Sequence, residues 1–340
     1  MLPFPRRARR HRSSSAPGWS RLPPAVALNR RASPTNLGEV SNGSEIFDRA
    51  LLRRRRDRTA ALAGQHDFLI ARVADDLLER LAIVRRRFAV ALNLGAHHGL
   101  LGARLRSRPG VEMVIDMEPS GGLLRQCSGL RVQADEEVLP FRSQSLDLVL
   151  SALALQLVND LPGALLQIRH ALRPDGLLLA ALLGGDTLHE LRTALYLAEE
   201  EVEAGASPRV APFADVRQLG SLLQRAGFAL PVADAQTLTV TYPDALALMR
   251  ELKAVGAANV LRARRRQPMR RQTLARAINH YAERYALPNG RVPATFEIIT
   301  LTGWAPHESQ QQPLRPGSAT SRLAEALGSL ARADGRTGTQ

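Results

Sequence analysis

Cysteine and long apolar runs are almost missing from this sequence. Its 340 residues include one cysteine, Cys127. One thiol can form neither an internal disulfide nor a cysteine-based zinc site, which excludes a disulfide-stapled secreted fold. The longest apolar run, Leu177–Leu183, has about the length of one strand, whereas a membrane-spanning helix needs roughly 18 or more such residues. The sequence therefore predicts no transmembrane span.

Lysine and aromatic residues are scarce too. Only Lys253 is a lysine among 46 basic residues, and Phe, Trp and Tyr together make up 4%. This skew is typical of a GC-rich genome, so the net charge of +14 does not by itself indicate nucleic-acid binding. We expect no nucleic-acid partner. The arginine-rich segments 53–56 and 262–271 are interpreted as solvated basic faces, with an acidic partner as the alternative.

Residues 1–44 are rich in Arg, Ser and Pro and have no apolar periodicity. We predict a disordered tail here, with a mitochondrial transit peptide or a mis-assigned start codon as alternatives. The prolines argue against a continuous targeting helix. The folded domain is predicted to span 45–306, followed by a loosely ordered tail at 307–340. We expect a location in the bacterial cytoplasm, with the mitochondrial matrix as the alternative.

Short apolar runs alternate with helical patterns from about residue 45 onward. Helices are predicted over 46–56, 67–83 and 159–172. The predicted strands are Ala89–Leu94, Val111–Asp116, Leu130–Ala134, Leu146–Ser151 and Leu177–Leu183. Arg173-Pro174-Asp175-Gly176 is predicted to form a turn before the fifth strand. Strands that alternate with helices pair in parallel through right-handed crossovers, so the pattern predicts an open α/β sheet.

Two further strands, Ala235–Tyr242 and Ala294–Trp304, are predicted late in the chain. Helices at about 187–204 and 213–226 precede them, and Gly227 is placed to end the second of these helices. Helical patterns at about 243–255 and 272–286 lie between the two strands. We therefore predict a helical insertion at about 243–290, between the last two strands of the sheet.

The segment most indicative of chemistry is 91–99, ALNLGAHHG. A strand ends there in a glycine-containing loop that opens a helix, so the backbone can approach a ligand closely and offer free N–H groups. Asp116 closes the next strand, where an acid can accept hydrogen bonds from both ribose hydroxyls of an adenosine. Asp135 follows the third strand, where a carboxylate can accept from an adenine amine. Together these features predict an adenosine site.

The order of elements and these motifs resemble the class I S-adenosylmethionine-dependent methyltransferases, in the branch that includes the malonyl-carrier-protein methyltransferases. A closer resemblance, over about residues 45–320, is to the methyltransferase-like assembly factors of respiratory complex I. The segments that carry it are Ile46-Phe47-Asp48-Arg49, Ala134-Asp135-Glu136-Glu137, Leu139-Pro140-Phe141, Val158-Asn159-Asp160-Leu161-Pro162, Gly184-Gly185-Asp186-Thr187-Leu188, and Gly303-Trp304 with His307-Glu308-Ser309.

The resemblance implies a Rossmann-like, seven-stranded sheet with an antiparallel last strand and helices on both faces. It implies S-adenosylmethionine as cofactor and a subunit of respiratory complex I as a partner. The cofactor-binding residues that it indicates are Gly95, His97, Gly99, Asp116, Asp135 and Ser151, and those on the substrate side are Gly185, Asp186 and Thr187. Arg192 and Tyr196 are further substrate-side candidates, with a helix-surface or capping role as the alternative.

The sequence departs from the family pattern at three places. Asn93 stands where an acid is usual, so the position stays polar but loses its charge. His97 replaces the middle glycine, and a histidine enters left-handed backbone space only at a cost that glycine does not bear. Gln156-Leu157 replaces a His-Trp pair. A degenerate site that serves as a binding surface is therefore the main alternative to an active methyltransferase.

Other classes of function fit the residues less well. A dinucleotide oxidoreductase would need glycines at positions 97 and 100 after Gly95, and neither is glycine. A serine hydrolase would need a Gly-x-Ser-x-Gly segment, which does not occur. We predict no metal site, because the adjacent His97 and His98 are expected to point in different directions and no other two-ligand spacing occurs. Arginine hydroxylation stays open as a reaction other than methyl transfer. No catalytic residue is assigned.

Overall fold

The structure, a computed structural model, describes residues 45–203 and 205–311. Seven strands form one sheet in the order β3-β2-β1-β4-β5-β7-β6. Their bounds are β1 Phe88–Leu94, β2 Val111–Met117, β3 Leu130–Val132, β4 Leu146–Ala152, β5 Leu172–Leu183, β6 Ala229–Tyr242 and β7 Val292–Trp304. Strands β1 to β5 pair in parallel, and β7 runs antiparallel to both β5 and β6. The predicted seven-stranded sheet with an antiparallel last strand is confirmed.

Nine α-helices surround the sheet in the described part of the chain. They are α1 Arg49–Thr59, α2 Phe68–Ile83, α3 Leu100–Arg106, α4 Gly121–Leu124, α5 Leu161–Ala171, α6 His189–Glu203, α7 Val216–Arg225, α8 Ala245–Ala254 and α9 Arg271–Tyr285. Their ends follow the expected chemistry: Asp160, before α5, accepts from Gly163 N, and Gly227, after α7, has φ 77°.

Successive side chains of β4 belong alternately to the two main core layers, one on each face of the sheet. Leu148 and Leu150 pack with side chains of α2 and α3 on one face, whereas Val149 packs with side chains of α5 and α7 on the other. Strand β4 is therefore apolar at almost every position, because both faces of a parallel sheet are covered. Helices on both faces were predicted and are confirmed.

The helical insertion lies between β6 and β7, where α8 and α9 were predicted. Tyr242 and Val292 are paired at the end of the β6–β7 ladder, so the insertion starts and ends at one point. Leu248, Ala277 and Tyr281 from the insertion pack against α6 in a third core cluster. Strand β6 begins at Ala229 rather than Ala235, because it pairs with β7 almost along its whole length.

The prediction that 173–176 forms a turn before the fifth strand is wrong in one respect. Strand β5 begins at Leu172, so the segment lies within the strand as an irregularity: Leu146 pairs with Leu172, but Leu148 pairs with Leu177. Asp175 has φ 63°, and Arg173 bonds Asp147 at 2.9 Å. The proline and glycine thus bend the strand locally, as in a β-bulge, without ending the pairing.

No helix among the described residues is long and apolar enough to cross a membrane. The chain divides between Pro306 and His307 into two compact units, and the account above concerns the first. The predictions for 1–44 and for most of 307–340 fall outside the described residues.

Candidate functional site

The carboxyl ends of β1 to β4 meet at one edge of the sheet. Gly95, Asp116, Asp135 and Ser151 follow or end these strands, so the parallel pairing brings them together. Ala96 N donates to Met117 O at 2.8 Å, and Ser151 Oγ donates to Leu94 O at 3.0 Å. The loop after β1 is thereby held between β2 and β4.

The loop itself needs left-handed backbone at three positions. The φ angles are 67° at Gly95, 53° at His97 and 88° at Gly99. A Cβ at Gly95 would overlap Ala154, and one at Gly99 would lie 2.9 Å from Cys127 Cα. Only glycine fits both places. His97 thus adopts the left-handed backbone whose cost for a histidine the sequence analysis noted.

Asp116 is fully buried, and its carboxylate accepts hydrogen bonds from two side chains. Its Oδ1 accepts from Asn93 Nδ2 at 2.8 Å, and its Oδ2 accepts from Arg106 at 2.8 Å. Burial raises the pKa of Asp116, and the hydrogen bonds from Asn93 and Arg106 oppose that rise. Asn93 therefore serves as a donor where the family has an acid. Binding of a ribose by Asp116 stays a prediction.

Glu118, which the sequence analysis missed, is the acid that contacts the loop directly. Its Oε2 accepts from His97 N at 3.0 Å, and its Oε1 accepts from Ser120 N at 3.1 Å. Arg56 lies 3.3 Å from the same Oε1. Burial raises the pKa of the fully buried Glu118, and the charge of Arg56 opposes that rise.

Two arginines of α1 cover the acids that follow β2 and β3. Arg49 bonds Asp135 at 2.8 Å and also bonds Glu136, while Arg56 lies 3.7 Å from Glu136. Burial would lower the pKa of Arg49, but the charges of Glu136 and Asp135 raise it. The signal in the sequence is the spacing of Arg49, Leu52 and Arg56, which puts them on one face of a helix.

The interpretation of both arginine-rich segments as solvated faces is wrong in part. Arg53 and Arg54 are exposed, but Arg56 is only 8% exposed. In the second segment Arg264 pairs with Asp48 at 3.2 Å and Arg265 pairs with Glu203 at 2.8 Å. Acids distant in sequence neutralise these arginines, which composition alone does not show.

Two buried atoms of the site have no hydrogen-bond partner among the described residues: Glu136 Oε1 and Arg49 Nε. Glu136 Oε1 lies 3.3 Å from the point that a Cβ of Gly95 would occupy. A buried acceptor without a hydrogen bond is costly, even with the charge of Arg56 3.7 Å away. The glycine loop therefore adjoins an acceptor that a ligand's amine or hydroxyl would satisfy.

An apolar cavity of about 450 Å³ opens beside this loop. His97, Leu153 and Gln156 line it from the sheet edge, and Leu191 and Leu195 of α6 line it from the side. The insertion contributes Met249 and Leu252. Such a concave, largely apolar space with a few polar groups is the usual form of a small-molecule or side-chain binding site.

The predicted substrate-side segment, 185–187, forms a turn that is hydrogen-bonded to β7. Thr187 Oγ1 accepts from Glu297 N at 3.1 Å, and Asp186 N donates to Glu297 Oε2 at 3.0 Å. Arg192 donates to Gly185 O at 3.0 Å, and the side chain of Tyr196 is half exposed. These residues join the start of α6 to β7, and their substrate role stays a prediction.

The expectation that His97 and His98 point apart is wrong. Their Nδ1 atoms lie 2.8 Å apart, because the left-handed turn at His97 folds the two rings together. No group of three or more His, Cys, Asp or Glu side chains that could hold a metal ion occurs in 45–203 and 205–311.

Known proteins match this chain over most of its length. The family profile described as a methyltransferase domain matches residues 92–180. The chain is 39% identical to the mitochondrial arginine-hydroxylase NDUFAF5 of Danio rerio, covering 83% of this chain and 90% of that protein, and 37% identical to the human one (90% and 92%). It is 37% identical to a malonyl-[acyl-carrier protein] O-methyltransferase of Halorhodospira halophila, over 77% and 89%. The chain belongs to this methyltransferase family. The resemblance is thereby confirmed, and with it the methyltransferase fold.

Proposed function

We propose that the chain binds S-adenosylmethionine at the carboxyl ends of β1 to β4 and transfers a methyl group to a substrate in the adjoining cavity. The observation that carries the proposal is Glu136 Oε1, a buried acceptor without a hydrogen bond beside the glycine loop, whose His97 lines a cavity. Gly95, His97 and Gly99 form the floor. Asp116 accepts from the ribose, Asp135 from the adenine amine, and Ser151 fixes the end of β4.

The polar groups present suit such a ligand. The cofactor carries a sulfonium and an ammonium charge, and the buried Glu118 and Glu136 provide carboxylates toward the loop. Arg49 forms an ion pair with Glu136, and Arg56 forms one with Glu118. When bound, the cofactor supplies an electrophilic methyl group. The protein then needs only to hold the nucleophile in line with that group, which contributes through proximity and orientation.

The substrate enters the apolar cavity, and we propose a subunit of respiratory complex I as the protein partner. The family resemblance supports this partner. For the location we propose the bacterial cytoplasm, which the bacterial relative supports, with the mitochondrial matrix, which the mitochondrial relatives support, as the alternative. Gly185, Asp186 and Thr187 would then shape the rim, because they join β5 to the cavity-lining helix α6.

A second candidate is a non-methylating assembly factor that modifies an arginine or serves as a scaffold. The 37–39% identity to proteins named arginine-hydroxylase favours it. So does the ion pairing of the acids at the site, which are Asp116, Glu118, Asp135 and Glu136. The two candidates share the fold and differ in whether the cofactor binds.

Calorimetry of the purified protein with S-adenosylmethionine, S-adenosylhomocysteine and NAD separates them. We expect the first two to bind and NAD not to bind. A matched pair of variants, Asp135→Ala at the site and Asp75→Ala on the exposed side of α2, localises the binding. Absence of binding by all three ligands would overturn the methyltransferase proposal and favour the scaffold.

A further inference from the structure

Three side chains form a chain of contacts beneath the cavity. Asp67 Oδ2 lies 3.1 Å from His98 Nε2, and His98 Nδ1 lies 2.8 Å from His97 Nδ1. The two rings meet edge to face, at 83° and 5.1 Å between centroids. Both His98 and Asp67 are partly buried, at 11% and 24% side-chain exposure.

Among the residues that the structure describes, the carboxylate of Asp67 makes no other hydrogen bond or ion pair. Asp67 occupies the N-cap position of α2, where an aspartate ordinarily accepts from the first backbone N–H groups. Here its side chain makes no capping hydrogen bond. It is turned toward His98 instead.

In the neutral form of His98, the two contacts fix the position of each ring hydrogen. A carboxylate only accepts, so His98 Nε2 carries the hydrogen that Asp67 receives. His98 Nδ1 is then an acceptor, and the hydrogen between the two rings belongs to His97 Nδ1. His97 Nε2 is left with its lone pair.

His97 lines the cavity beside Leu153 and Gln156. Within 45–203 and 205–311 its ring makes a hydrogen-bond contact through Nδ1, and Nε2 makes none. Burial, followed by the charge of Arg56, lowers the pKa of His97 to about 3. The ring is therefore neutral at physiological pH, and the lone pair is free to accept.

We infer that the Asp67–His98–His97 relay holds His97 Nε2 as the acceptor for the nucleophilic O–H or N–H group of the substrate, and that His97 is a catalytic residue. The inference rests on the proposed methyl transfer. The substrate's O or N atom forms the bond to the methyl carbon, the carbon–sulfur bond breaks with its electron pair left on sulfur, and the O–H or N–H proton passes to His97 Nε2. Asp67 and His98 are positioning residues.

A weakly basic imidazole suffices for this step. The proton becomes strongly acidic only as the new bond to carbon places positive charge on the nucleophile, so it leaves late and toward any aligned acceptor. Good geometry before the step is then more important than high basicity.

The ring protons are tested without any cofactor, by ¹⁵N NMR of histidine-labelled full-length protein. We expect His97 as the Nδ1–H form and His98 as the Nε2–H form. Asp67→Ala should remove the preference for these two tautomers and shift the ¹⁵N resonances of both rings. The control Asp75→Ala should leave these resonances unchanged. A hydrogen on His97 Nε2 in the wild type, or rings unaffected by Asp67→Ala, would overturn the relay.

The acceptor role is tested with phenol and its methyl ether anisole, which differ in one O–H group. We expect phenol, but not anisole, to shift the His97 Nε2 resonance. His97→Asn should weaken phenol binding about two- to tenfold, the value of one hydrogen bond, and leave anisole unaffected. His97→Gln, whose amide oxygen reaches the place of Nε2, should restore it. Equal responses to both probes would overturn the inference. Failure of S-adenosylhomocysteine to bind would instead overturn the proposed function and leave the ring protons as found.

Discussion

A substitution at Asp116 tests whether this residue binds a ligand or serves only the packing of the core. Its carboxylate is fully buried between Asn93 and Arg106. We expect Asp116→Ala to lower the affinity for S-adenosylhomocysteine about tenfold to more than a hundredfold, because two hydroxyls lose a charged acceptor worth roughly 1.5–3 kcal/mol. Calorimetry measures the change.

The matched control for Asp116 is Arg106→Ala. It removes the same ion pair but keeps the carboxylate, and Arg106 is itself one-quarter exposed. We expect it to alter the affinity far less. Equal losses in both variants would show that the ion pair, rather than the carboxylate, matters for binding.

The lowered pKa of His97 predicts that the free energy of unfolding depends on pH. Its folded pKa of about 3 lies below the ordinary 6.5, so between these values the unfolded chain binds the extra proton. Stability from the neutral ring is thus fully present above pH 6.5 and lost as the pH falls, by up to about 1.4 kcal/mol per unit. Urea unfolding from pH 7 to 4.5 should show a shallower decline in His97→Asn, since asparagine tolerates the left-handed backbone.

Replacing the exposed His170 is the control for that slope. His170→Gln should follow the wild type at every pH. An unchanged slope in His97→Asn would mean that the ring protonates freely in the folded protein.

The places of residues in the fold were predictable where the backbone pattern fixes them. Gly95, Gly99 and Asp116 lie at the ends of strands, as the order of the strands indicated. Glu118 and Glu136 could not be found that way, because a buried carboxylate depends on a partner, and here the partners Arg49 and Arg56 lie far away in sequence.

At the scale of elements, α1 reaches the site by one face. Arg49, Leu52 and Arg56 point inward, whereas Arg53 and Arg54 are exposed. Within 53–56 every residue is an arginine, so composition does not show which of them is buried, and only the spacing from Arg49 and Leu52 marks Arg56. The pattern still predicted the helix, and the strands with it, since apolar spacing decides both. It placed the bend at 173–176 but not the pairing that continues through it.

Arg56 tests the buried face of α1. Arg56→Met leaves Glu118 without its charge partner, and we expect a loss of about 3–5 kcal/mol in the free energy of unfolding. The exposed Arg53→Met should change it by no more than about 0.5 kcal/mol. Urea unfolding at pH 7 measures both.

A double variant separates charge from packing in this element. Adding Glu118→Gln to Arg56→Met removes the stranded charge, so part of the loss should return. If the double variant is less stable than Arg56→Met, the carboxylate of Glu118 is supported by its backbone donors alone.

At the scale of the whole molecule, the insertion holds α1 over the site. Asp48 N donates to Val260 O and Arg262 N donates to Ile46 O, both at 2.8 Å. Phe47 and Leu52 pack with Val260 and Leu261 in a small separate cluster. Because these partners lie more than 200 positions apart, no local pattern in the sequence indicates the contact. The insertion was predictable as an element, but its link to the cofactor-side arginines was not.

Leu261 therefore predicts a long-range effect on the proposed cofactor site. Leu261→Ala opens a gap in the small cluster, at a local cost of about 2–5 kcal/mol, while the main core layers on either side of the sheet do not include it. We expect faster amide hydrogen exchange in α1, unchanged exchange in β1 and β4, and weaker S-adenosylhomocysteine binding, since Arg49 and Arg56 would lose their fixed positions over Glu118 and Glu136. Leu166→Ala, at an exposed leucine of α5, should change none of these. Slow exchange retained in α1 of the Leu261→Ala protein would contradict the coupling, because α1 would then be held by its own ion pairs without the insertion.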